Sequence, residues 1–314
     1  MGAPVKEFLE GNLPERLGLS LVAGADSLTR EVATSLVQKP GLLLTGLLEE
    51  LHSGRMQIFG AAEVGYLESL SEERLGMAIA VLEKPDIPAI IVTRALEPPG
   101  FLLELCARKN IPLFKSKLTS SVFIERITKF MEERLAPSTT MHGVLVDLLG
   151  VGVLIIGKSG IGKSECALEL VARGYRLVSD DVVIVKRMPP SALMGTSSDL
   201  IRYHMEIRGL GIVNIKDIYG ITAIREKKQM DIVVELVRWE PESEYERLGF
   251  EEKTYDILGV ALPYLMVPVS PGRSVATIVE VAARNQILKI MGHHSARNLK
   301  THLESVMKGM KGQN

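Results

Sequence analysis

Residues 153–164 read V-L-I-I-G-K-S-G-I-G-K-S, and residues 165–173 continue E-C-A-L-E-L-V-A-R. Four apolar residues signal a buried strand, the glycine-rich middle permits a tight turn, and the apolar spacing that follows is helical. A strand, a loop of Gly157, Lys158, Ser159, Gly160, Ile161 and Gly162, and a helix opening at Lys163 and Ser164 make a phosphate-binding loop in its proper context. Glycines let the backbone wrap a polyphosphate, helix N–H groups point at the anion, and Lys163 adds a full charge. Ser164 places a hydroxyl where nucleotide-bound Mg2+ takes one ligand. The chain is expected to handle a nucleoside triphosphate or a related polyphosphate.

Outward from that loop, the 314-residue length suits two domains, each able to bury a core. With 46% hydrophobic and 24% charged residues the composition is globular. A formal net charge of −1 gives no general attraction to nucleic acid or anionic membrane, so neither is expected as a partner and any polyanion site must be local. The two cysteines, Cys106 and Cys166, sit in helix-like apolar patterns, which argues against a disulfide framework or a cysteine-rich zinc site. No apolar run approaches the ~20 residues of a membrane span, and the N-terminus lacks a secretory core, so the cytoplasm is the expected compartment.

In the first part of the chain, Leu19–Ala23, Gly41–Leu44, Met56–Phe59, Ala89–Thr93 and Ile111–Phe114 read as short strands, with helical spacing over Leu67–Leu82 and Pro99–Lys109. The run from Ala89 to Phe114 is a strand-helix-strand unit of the parallel type. A long amphipathic helix over Ser120–Leu135 ends at A-P-S-T-T, where Pro137 marks the domain boundary. Beyond the loop helix, Gly174 has the position of a helix cap and leads into Y-R-L-V-S-D-D-V-V-I-V. Strands are expected at Gly211–Ile215, Ile221–Ile224 and Ile232–Val237, and helices at Ser274–Met291 and Ala296–Met310.

Phosphoryl transfer needs positioned phosphates, a metal to spread charge, and a group to align the nucleophile. Asp180 and Asp181 follow the strand R-L-V, where a parallel neighbour would deliver its C-terminal end to the phosphates. One acid could hold Mg2+ through water while the other accepts a proton; a plain polar turn between two strands is the alternative. His142 precedes a hairpin folded at about Val151, which would set it opposite the first loop residues, as a charge donor or as a solvated strand-edge histidine. Glu206 lies in M-E-I-R-G-L-G-I-V-N-I, where pattern alone favours a glycine-containing turn. Arg247 and Arg273 sit in loop-like contexts, each by itself a surface charge or a phosphate contact. His293-His294 has no acid at ligand spacing, and N-I-K-D at Asn214 has the wrong order for guanine selection.

Together, M-H-G-V-L-V at His142, the loop, R-L-V-S-D-D at Asp181, the segment around Glu206, Y-E-R-L-G at Arg247 and V-P-V-S-P-G-R at Arg273 resemble the bacterial HPr kinase/phosphorylase family. Six ordered segments at compatible spacing are far more specific than a phosphate loop alone. The resemblance implies an α/β chain with an N-terminal α/β regulatory or assembly domain over residues 1–136. Residues 137–314 would form a P-loop kinase domain with a mixed, carboxykinase-like sheet. It implies transfer of the γ-phosphoryl of ATP, or of pyrophosphate, to a serine of the phosphocarrier protein HPr, and the reverse phosphorolysis with inorganic phosphate. It further implies nucleotide binding by Gly157–Ser164 and Mg2+ held by Ser164 and Glu206. His142, Lys163, Asp181 and Arg247 would be catalytic, Pro268–Arg273 would serve dephosphorylation, Met205–Asn214 would serve both reactions, and the chain would form a hexamer. The competing expectations are a small-molecule or carboxykinase-like kinase, and an ATP-sensing regulator without transfer.

Overall fold

The computed structural model describes residues 2–45, 52–240, 252–294 and 298–299. The chain forms two compact units, Met1–Ala136 and Pro137–Asn314. The first contains, in order, β1 (Ala3–Pro4), α1 (Leu13–Leu17), β2 (Leu19–Ala23), β3 (Glu31–Val32), β4 (Val37–Gln38), β5 (Met56–Phe59), α2 (Ala61–Glu68), α3 (Glu72–Glu83), β6 (Ile90–Val92), α4 (Gly100–Lys109), β7 (Leu113–Ser116) and α5 (Ser120–Leu135). Strands β4 to β7 are parallel and β2 closes one edge antiparallel, in the order β2-β7-β6-β5-β4. Both faces of this sheet are buried: Phe59, Ile90 and Val92 face a cluster with α2, α3 and α4, while Met56, Ile58 and Ile91 face one with α1 and α5. Double burial is why these strands are continuously apolar rather than alternating.

Two expected elements of this unit come out differently. Gly41–Leu44 is part of a 3-10 helix, Gly41–Thr45, because the Pro40 carbonyl accepts from Leu43 N–H at 2.8 Å and Leu44 N–H at 3.3 Å. A short apolar run carries no period that separates the two conformations. The single helix expected over Leu67–Leu82 is two, interrupted at Ser69–Ser71. The Ser69 hydroxyl donates to the Tyr66 carbonyl at 2.7 Å, and Ser71, with extended backbone, begins the next helix.

The second unit contains β8 (Ser138–His142), β9 (Val144–Leu148), β10 (Val151–Gly157), α6 (Lys163–Ala172), β11 (Arg176–Ser179), β12 (Val182–Met188), β13 (Ala192–Ser197), β14 (His204–Ile207), β15 (Gly211–Asn214), α7 (Ile215–Tyr219), β16 (Lys227–Gln229), β17 (Ile232–Arg238), β18 (Lys253–Ile257), β19 (Val260–Val269) and α8 (Val275–Ile290). Six strands form a mixed sheet ordered β11-β9-β10-β17-β19-β18, in which β10, β17 and β19 are parallel. One face packs on α6 and α8 through Val153, Ile155, Val234 and Leu236; the other packs, through Leu145, Leu154 and Val233, on Val183, Val185 and Leu193 of a second sheet, β16-β13-β12-β8. The unit is thus three layers: helices, mixed sheet, smaller sheet.

Strands β9 and β10 form the expected hairpin, but it turns at Leu149 and Gly150 rather than at about Val151, both with positive φ (55° and 87°), as a two-residue turn between twisted strands requires. β11 is not the neighbour of β10. It runs in the same direction, but β9 lies between them, because the hairpin claims that edge first. Ile221–Ile224 makes only a 3-10 turn, Ile221–Ala223, and a single bridge from Ile224 to Leu177. The helix expected over Ala296–Met310 lies almost wholly outside the described residues.

Candidate phosphate-loop active site

The loop sits where β10 ends, and one row across the sheet runs Gly157, Leu236, Val267. The C-terminal ends of all three parallel strands therefore share this edge, the usual location of ligands in such sheets. Gly160 and Gly162 adopt φ of 76° and 102°, a backbone that side chains disfavour, and Gly162 caps α6. Cys166, Ala167, Leu170 and Val171 form the buried stripe of α6, so its axis is fixed by the core while its first turn stays at the surface. Burial pushes the Cys166 thiol up to about 12, which removes it as a nucleophile beside the loop. Lys163 Nζ donates to the carbonyls of Gly157 at 2.9 Å and Lys158 at 3.3 Å, holding its charge inside the curve of the loop.

Two chain corners meet beside it. At His142-Gly143 the backbone passes from the small sheet (β8) to the large one (β9), and at Asp180-Asp181 it passes from the large sheet (β11) to the small one (β12). The corners are tied: His142 pairs with Val182, and Gly143 N–H donates to the Asp181 carbonyl at 2.9 Å. A Cβ on Gly143 would stand 2.7 Å from the Ile155 carbonyl oxygen, so only glycine lets the strand pass so close to β10. The register Val144 to Ile155, continued two residues, sets His142 level with Gly157.

The adjacent acids then take opposite surroundings. Asp180 is buried and accepts from the Ser164 hydroxyl at 2.9 and 3.2 Å and from the Glu206 N–H at 3.4 Å. Burial raises its pKa above the ordinary carboxylate value, against the opposing pull of the Ser164 bond. Asp181 has φ of 63° and its side chain is 75% exposed, with Oδ1 3.9 Å from His142 Nδ1. One carboxylate is thus committed to the loop serine and the other is open to an incoming group.

Glu206 lies on β14, in a hairpin with β15 whose Met205 is buried in the core; its own side chain is exposed, across from Ile212. Ser164, Asp180 and Glu206 are hard oxygen donors, and no cluster of three or more His, Cys, Asp or Glu placed to cage a metal occurs among the described residues. A set with so few protein ligands fits Mg2+ carried on phosphates and water. Arg273 follows β19 in a turn closed by its own N–H to the Ser270 carbonyl at 3.3 Å, on the same sheet edge as the loop. Arg247 lies outside the described residues. Arg208, inside the Met205–Asn214 segment that the family resemblance ties to both reactions, rests its guanidinium against Gly160.

A strand, a glycine-rich turn and a helix, with lysine and serine at its start and a buried carboxylate on that serine, define a P-loop protein of the phosphotransferase type. Family models match most of the chain: the HPr Serine kinase N terminus matches residues 5–131 and the HPr Serine kinase C-terminal domain matches residues 133–303. This chain belongs to the HPr serine kinase family. It is 54% identical over 281 residues to an HPr kinase/phosphorylase of Geobacter sulfurreducens, covering 90% of this chain and 88% of the relative. It is 44% identical over 291 residues to one from Leptospira biflexa, covering 92% and 90%. Among solved structures, the HPr(Ser) kinase/phosphatase of Coxiella burnetii matches with 31% identity and a TM-score of 0.47, over 51% of this chain and 98% of that one.

Proposed function

We infer that this protein transfers the γ-phosphoryl group of ATP to a serine of HPr and removes it again with inorganic phosphate, releasing pyrophosphate. Family membership supports the activity, and the division of labour between Asp180 and Asp181 carries the assignment of roles. Gly157–Ser164 would hold the inner phosphates, with Lys163 neutralising oxygens of the transferring group. Asp181, open and beside His142, would take the proton of the attacking serine hydroxyl and return it in the reverse direction. His142 would add positive charge when protonated, and Arg247 would complete the site. Ser164 and Glu206 would hold Mg2+, with Asp180 orienting the serine. When bound, the ion spreads charge over the β- and γ-oxygens.

The double activity follows from one cradle. A loop that grips the leaving diphosphate also accepts inorganic phosphate there, so the in-line transfer runs either way with ligand supply. Pyrophosphate as an alternative donor, a hexameric assembly and a cytoplasmic location complete the reading. No helix among the described residues is long and apolar enough to cross a membrane. The deciding assay mixes the protein with Mg2+, γ-labelled ATP and purified HPr. Label on a seryl side chain, released as pyrophosphate on adding phosphate, is expected; label on a small acceptor, or tight ATP binding with no transfer, would replace this reading.

A further inference from the structure

Two helices lead away from the phosphate edge of the sheet, α6 after β10 and α8 after β19. The first turn of α6 carries Lys163 and Ser164, and α8 opens at Ser274, directly after the exposed Arg273. Their buried stripes, Cys166, Ala167 and Leu170 on α6 and Ala276, Val279 and Ala283 on α8, share one core. Apolar contact is non-directional, so it joins two helices without fixing how far one slides along the other. The polar contacts supply that register. Arg173, the residue that caps α6 at its C-terminal end, donates through Nη1 to Glu280 at 3.0 Å. Its Nη2 donates to Thr277 Oγ1 at 3.0 Å, to Ser274 Oγ at 3.4 Å and to the Glu169 carboxylate. The Ser274 hydroxyl in turn donates to Glu169 at 3.0 Å and accepts the Thr277 N–H that caps α8 at 3.2 Å.

An exposed ion pair adds little stability, but a planar guanidinium with three acceptors at the start of one neighbouring helix fixes that helix in place. A slip of one residue along a helix is ~1.5 Å, and a misplacement of ~1 Å at a reacting centre costs on the order of 10²-fold in rate. Arg173 itself stands about 15 Å along the axis from Lys163 by the helical rise, too far to touch a ligand of the loop. We propose that Arg173 is a positioning residue: by locking α8 onto α6 it sets where Arg273 stands relative to Lys163, and so where inorganic phosphate is held for the reverse reaction. The forward reaction depends on it less. ATP brings its phosphoryl group tied to a nucleotide that the loop already grips, whereas inorganic phosphate arrives without a tether and needs a second cation beside the loop. The proposal rests on the phosphorolysis reading above and adds a residue to it.

Both directions are assayed on the whole protein, with HPr and Mg2+-ATP forward and with phospho-HPr and inorganic phosphate in reverse, for the unmodified chain, Arg173→Gln, Arg173→Lys, Thr277→Val and Arg273→Gln. Arg173→Gln should raise the KM for inorganic phosphate about tenfold or more while kinase kcat and the KM for ATP stay within about twofold. Arg173→Lys, which keeps the charge and loses the fork, should fall between. Thr277→Val should show the same selectivity to a smaller degree, and no effect when added to Arg173→Gln, as expected of partners in one contact. If Arg173→Gln does not fold, Thr277→Val carries the test. Equal losses in the two directions would overturn the proposal, because Arg173 would then only stabilise the fold. So would an unchanged KM for phosphate in a chain where Arg273→Gln raises it. Phosphorolysis untouched by Arg273→Gln would remove the outer cation and the proposal with it, leaving the loop reading intact; unmodified protein that transfers in neither direction would remove both.

Discussion

Asp180 and Asp181 are chemically identical neighbours made different by a single turn. The peptide between them swings one carboxylate into the core, against Ser164, and leaves the other facing solvent and His142. Their substitutions should separate accordingly. Asp181→Asn is expected to keep ATP affinity and lose about 10²- to 10⁴-fold in transfer rate, the usual contribution of a positioned base. Asp180→Asn should act earlier, weakening Mg2+-dependent nucleotide binding as Ser164 loses its orienting acceptor; titration calorimetry with and without Mg2+ distinguishes the two, and identical phenotypes would contradict the division. At Gly143 the constraint is steric. A methyl group there meets the Ile155 carbonyl inside a buried strand that cannot retreat, so Gly143→Ala should cost about 1–3 kcal/mol in urea unfolding and disturb His142 with it.

Among the elements, α5 fastens the first unit through charge as well as packing. Phe123, Ile127 and Met131 are its buried stripe, and Arg134 in its last turn makes a two-pronged pair with Glu7 at 2.6 and 2.7 Å. The Arg134 hydrogen bond holds the Glu7 carboxyl below its usual value of 4.5. A depressed carboxylate pKa stabilises above the unfolded value and stops doing so as pH falls through the folded one. Glu7→Gln should therefore cost about 0.5–1 kcal/mol at pH 7, reduced by the half-exposure of Arg134, and progressively less as acid protonates the carboxylate. Denaturation curves at neutral pH and through the acid range test it, and a cost that persists once the carboxylate is protonated would point to packing rather than charge. The element boundaries differ in legibility for physical reasons. The helix near Ser120–Leu135 was readable from its apolar stripe and Pro137, and the hairpin of β9 and β10, though not its turn residues, from two apolar runs around a glycine. The strand expected at Ile221–Ile224 was not, since so short a run carries no period, and in the turn it forms only Ala223 is buried while Ile224 bridges to Leu177.

Across the whole molecule, each unit has its own pair of hydrophobic clusters enclosing its own sheet, and neither sheet borrows a strand from the other. The segment 137–314 is accordingly expected to fold alone, with cooperative unfolding and near-native affinity for Mg2+-ATP; a molten or insoluble product would show that the first unit completes the second. The phosphate loop, its lysine and serine, and the membership of six spaced segments in one family were all legible in the sequence, because they depend on residue type and local spacing. The register of β9 on β10 was nearly so, fixed by a tight turn. Which aspartate faces inward, the insertion of β9 between β10 and β11, and the reach of Arg208 to Gly160 were decided only by the tertiary structure. Each depends on where chain segments far apart in sequence cross between sheets, and pairwise distance across a fold leaves no periodic mark on the residues that share it.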